Sequence, residues 1–111
     1  MRTTDKTNFI LLQADENESI GDFIKALSHH IMSNPDENYV IDLLGFADID
    51  QENIKQLISI HVSIHPENYS LVVLIDQLKV EELPEEINTV PTLKEAEDVI
   101  QMEMIERDLG F

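Results

Sequence analysis

Apolar residues along this chain fall into two alternating patterns, short continuous runs and longer stretches at helical spacing, which predict strands and helices in turn. Residues 8–13, NFILLQ, form the first run, bounded by polar residues, and read as a strand. After the acidic turn ADENE at 14–18, Ile20, Phe23, Ile24, Leu27 and Ile31 make one apolar stripe of a helix. Ser19 with Asp22 forms a weak capping box at its start, and Asn34-Pro35 ends it, because proline disfavours helical backbone in the residue before it. Residues 39–44 are nearly continuous in apolar character, as in a strand covered on both faces. A loop opening at Gly45 leads to Asp50, the cap of a second helix expected to bury Ile54, Leu57, Ile58, His61 and Ile64 before His65-Pro66 closes it.

Residues 70–76, SLVVLID, carry the strongest strand pattern and are expected at the centre of the sheet. Residues 77–87 fit a turn or two of helix interrupted at Pro84. Residues 88–90 suit a short edge strand. Pro91-Thr92 opens the last helix, with Thr92 and Glu95 as a capping box and Gly110 as terminator. Strands alternating with helices imply one α/β domain over residues 1–111, with a four- or five-stranded, mostly parallel sheet and helices packed on it.

The last helix carries two stripes. Leu93, Ala96, Ile100 and Met104 should face the sheet, whereas Met102, Ile105 and Leu109 fall on nearly the opposite side, followed by Phe111. Either these side chains are simply exposed or covered by the tail, or they form a partner or self-association surface.

Charge sharpens the question of partners. Seven Lys and Arg against 23 Asp and Glu leave a formal charge of −16, which favours solubility and disfavours nucleic acid and anionic membranes. A basic protein or a cation suits it better. No cysteine is present, so neither disulfides nor thiolate metal sites can form. The start, MRTTDKTN, lacks the apolar run of a signal peptide, and no segment has the length of a membrane span, so a cytoplasmic protein is expected.

Candidate chemistry is sparse. His61 and His65 stand one turn apart in HVSIH, but Val62 occupies the position where a metalloprotease needs glutamate, and a buried, hydrogen-bonded His61 is expected instead. An EF-hand loop counted from Asp48 would need Gly and Glu where Asn53 and Ser59 stand. Three glycines, Gly21, Gly45 and Gly110, cannot write a phosphate-binding loop. No metal, no cofactor and no catalytic residue is expected.

One stretch resembles a known family. VIDLLGFADIDQENIKQL, residues 40–57, is similar to the strand, loop and helix of STAS domains, the anti-sigma factor antagonists: Val40, Ile41, Asp42 and Leu43 match the strand, Asp50 falls on the family's aspartate, Ile54 on its leucine and Leu57 on the next apolar helix position. The resemblance extends roughly over residues 9–105. It implies a STAS-like fold and a regulatory role toward a kinase-like or other protein partner. Gln51, Glu52 and Asn53 stand where the family carries its serine pair and glycine, so the phosphoacceptor is missing, and the resemblance implies that Glu52, or the acidic cluster around it, imitates a permanently phosphorylated form. STAS domains usually begin with two strands, of which only residues 8–13 are convincing here. The ending also resembles small acidic bacterial proteins labelled ribonuclease Z, but that family's HxHxDH metal motif is absent.

The expected function is a non-enzymatic protein-interaction module binding through Asp48, Asp50, Gln51, Glu52 and Asn53. The alternative is an accessory or self-associating protein, a homodimer or the companion of a ribonuclease Z-type partner, that binds through Met102, Ile105, Leu109 and Phe111.

Overall fold

The computed structural model describes residues 1–64, 68–76 and 83–110. Five strands form one sheet in chain order: β1 (Arg2–Asp5), β2 (Ile10–Gln13), β3 (Tyr39–Asp42), β4 (Leu71–Leu74) and β5 (Asn88–Val90). Only the β1–β2 pair is antiparallel; β2 to β5 run parallel. Helices α1 (Ile20–Ser33), α2 (Gln51–Ser63) and α3 (Leu93–Asp108) pack on it, which makes the chain a small α/β domain with a mostly parallel sheet, as the alternating pattern predicts.

β4 is wholly apolar and β3 nearly so because both of their faces are covered. Leu12, Ile41 and Val73 lie in register and cluster with Phe23, Leu27, Leu57 and Ile60 of α1 and α2. Their neighbours Leu11, Val40 and Val72, also in register, cluster with Ala96 and Ile100 of α3 on the opposite face. Successive crossovers of one hand between adjacent strands put α1 and α2 on the same face.

Several expectations need correction. β1 was not foreseen, since all four of its residues are exposed and carry no apolar pattern; its pairing to β2 rests on backbone bonds, continued by Lys6 N–H to the Phe9 carbonyl at 2.8 Å. β3, not β4, is the middle strand, although β4 is buried at every residue. Leu44 lies outside β3 and is exposed. On α2, Ile54, Leu57 and Ile64 are buried as expected, but Ile58 is 37% exposed while Ile60 is 2% exposed, because the buried stripe leans toward α1 and the sheet. His61 is half-buried with Nδ1 enclosed, and among the described residues no hydrogen bond reaches that atom. The expected stop at His65-Pro66 and most of the 77–87 stretch, together with Phe111, lie outside the described residues.

The helix ends follow local chemistry closely. Ser19 Oγ accepts from the Asp22 N–H at 3.1 Å, and Asn34 closes α1 by donating to the His30 and Ile31 carbonyls. The Tyr39 hydroxyl donates to the Asn34 carbonyl, tying this end to β3. Thr92 caps α3 by accepting from Glu95 N–H at 3.2 Å, and Gly110 follows its end at φ +79°, a conformation glycine adopts without strain. At the lower edge of the sheet Asn38 bridges two neighbours, donating to the Asn8 carbonyl at 3.0 Å and accepting from Ser70 N–H at 2.7 Å.

Candidate functional site

The upper ends of β2 and β3 carry the two acidic loops into which these strands run. Between them lies an open cavity of about 730 Å³, lined among others by Arg2, Gln13, Asp15, Glu18, Asp42 and Phe46. Its polar groups are largely engaged within the fold. Gln13 Nε2 donates to Asp42 Oδ2 at 3.0 Å, and Asp42 Oδ1 accepts from the Leu44 N–H at 2.9 Å, so this carboxylate holds the first turn of the 43–50 loop. Asp15 and Glu18 hold the Met1 ammonium at 2.5 and 3.1 Å, and the Asp15 hydrogen bond above all raises the affinity of that amine for its proton.

The 43–50 loop is pinned at two points. Phe46 stacks on Phe23 of α1 with ring centroids 5.8 Å apart, and Ile49 is buried in the core. Phe46 N–H also donates to the Leu43 carbonyl at 3.1 Å, which closes a tight turn at Leu44-Gly45. Anchoring the two apolar residues turns the others outward. Leu44 is 45% exposed, and Asp48, Asp50, Gln51 and Glu52 are all on the surface.

Of the five residues expected to contact a partner, Asn53 is the exception. It is 7% exposed and its side chain accepts from Asp50 N–H at 3.3 Å while Asp50 Oδ1 accepts from Asn53 N–H at 2.9 Å, a reciprocal capping box that occupies both. Asn53 therefore supports the helix entrance instead of reaching out. Glu52 sits in the first turn of α2, where its charge complements the helix dipole. No hydrogen bond or ion pair among the described residues engages the side chains of Asp48, Gln51 or Glu52.

The expected second surface is divided. Met102, Ile105 and Leu109 are 62%, 59% and 63% exposed on the outer side of α3, while Leu93, Val99 and Met104 pack with Ala96 and Ile100 against the sheet. The exposure of Leu44 and the anchoring of Phe46 and Ile49 were the features of this loop that pattern reasoning missed. Apolar residues at three-residue spacing inside an otherwise acidic loop were the available signal. Among the described residues no three His, Asp or Glu converge as a metal site, and no helix is long and apolar enough to cross a membrane.

The surface offers carboxylates, one amide and one leucine, but no hydroxyl at residues 50–53. Such a set accepts hydrogen bonds and attracts cations. No family model and no curated protein matches this chain.

Proposed function

We propose that this chain is a non-enzymatic, cytoplasmic protein-interaction module that binds a donor-rich or basic partner protein through Leu44, Asp48, Asp50, Gln51 and Glu52. The single observation that carries the reading is the loop's construction. Phe46 and Ile49 fix its backbone while Leu44, Asp48, Gln51 and Glu52 stay exposed, so the ordering entropy of binding is reduced before a partner arrives. Leu44 supplies the apolar contact and the carboxylates supply orientation and encounter rate.

The resemblance to anti-sigma factor antagonists supports the same surface. β1 provides the additional N-terminal strand that a STAS-like fold implies, and the helix entrance at Asp50 is preformed. With Gln51 and Glu52 in the phosphoacceptor region, the proposed module is constitutive and uses no phosphorylation at these positions. Its partner class is a kinase-like or other regulatory protein with a basic contact face.

Affinity capture from native lysate, repeated with Leu44→Asp and with the pair Asp48→Lys and Glu52→Lys, tests the proposal. A partner retained by the native chain should be lost from both variants. A partner that ignores both would place its contact elsewhere and sink the reading.

A further inference from the structure

The outer side of α3 presents a second surface whose chemistry is independent of the 43–50 loop. Met102, Ile105 and Leu109, three and four residues apart, line up as a ridge roughly 10 Å long over two helical turns. They are 62%, 59% and 63% exposed, and Ala96 and Ile100 on the opposite side already attach the helix to the sheet. The ridge thus contributes nothing to the core. Three adjacent large apolar side chains form a patch of the kind that marks an interaction surface, and methionine adapts readily to a partner's shape.

What borders the ridge selects its occupant. Exposed Glu95, Asp98, Glu106 and Asp108 lie along or beside it. Of the two bases on α3, Lys94 is already 3.1 Å from Asp98, and Arg107 turns inward to donate to Ser70 Oγ at 3.2 Å. A second copy docking by the same face would set these carboxylates against themselves, and an anionic lipid surface meets the same repulsion. An extended peptide finds no unpaired backbone on a helix to bond with. A helix with apolar residues at matching spacing and Lys or Arg on its flanks satisfies both the ridge and its rim. From this complementarity we infer that the outer face of α3 docks a basic amphipathic helix of a partner protein.

The test uses a labelled synthetic helix with leucines at i, i+3, i+4 and i+7 and lysines on the flanks, beside a scrambled peptide of identical composition. Both are titrated with the full chain at physiological ionic strength and followed by fluorescence anisotropy. The amphipathic peptide should bind about tenfold more tightly than the scrambled one, and Ile105→Asp should weaken it about tenfold. Ile105→Asp adds a negative charge at an exposed position, so attraction by net charge alone would strengthen binding and has the opposite sign. Leu44→Asp should leave the peptide unaffected, which keeps this outcome distinct from the fate of the loop surface. The proposal is overturned by equal binding of the two peptides, by no binding up to about 100 µM, by unchanged or tighter binding to Ile105→Asp, or by loss of binding instead on Val62→Asp, at an exposed apolar residue of α2. A dimer in sedimentation that Ile105→Asp disperses would overturn it as well, in favour of self-association.

Discussion

At Tyr39 a single side chain joins helix end, strand and core. Its ring is buried edge-on to His30 and its hydroxyl donates to the Asn34 carbonyl. Burial, and after it the Glu37 carboxylate, pushes the phenol up to about 12 from its usual value of 10. The unfolded chain therefore releases this proton first. The stability that Tyr39 contributes is whole below pH 10 and is lost as pH rises toward about 12. Alkaline denaturation should show that loss in the native chain and lose this component in Tyr39→Phe. Asp50 and Asn53 allow a similar separation of roles. Either Asp50→Ala or Asn53→Ala should cost about 1 kcal/mol in urea denaturation, and the double variant less than the sum, because each removes the same reciprocal cap. Asp50 as a cap was legible in the sequence, since a short acceptor before an apolar periodicity has few other uses. Asn53 as its reciprocal was not, because Glu or Gln is the usual partner and Asn can serve only where local geometry brings its shorter side chain within reach.

Among the elements, α2 shows where periodicity falls short. Both Ile58 and Ile60 are apolar, and spacing alone assigned Ile58 to the inside; the arrangement of α1 beside α2 turned Ile60 inward instead. Ile60→Ala should therefore cost about 2–5 kcal/mol and Ile58→Ala under about 1 kcal/mol in equilibrium unfolding. Gly21 stands in the exposed first turn of α1, where an added Cβ meets nothing within 4 Å. Gly21→Ala should stabilise by about 0.4–1 kcal/mol through the unfolded chain. β1 is the converse case: its order comes from the ladder to β2, and no residue in Arg2–Asp5 carries an apolar signal that a reader could count.

For the whole molecule, charge opposes compactness. A formal charge of −16 on 111 residues repels itself in the folded state more than in the expanded one. Raising ionic strength from about 0.02 to about 0.5 M should increase the unfolding midpoint in urea, because the Debye length then falls below typical charge separations. The same screening should slow association with a basic partner, so stability and on-rate respond to salt in opposite directions.

The α/β class, the succession of β2, α1, β3, α2, β4, β5 and α3, the cap residues Ser19, Asp50 and Thr92, and the acidic character of the 43–50 loop were determined by the sequence itself, because each depends on neighbours within a few residues. Tertiary structure decided which strand stands in the middle, that β1 joins the sheet, that Ile60 and not Ile58 is buried, and that Phe46 on Phe23 and Ile49 in the core turn Leu44 and Asp48 outward. Those outcomes depend on contacts between residues far apart in the chain, whose energies no local pattern contains.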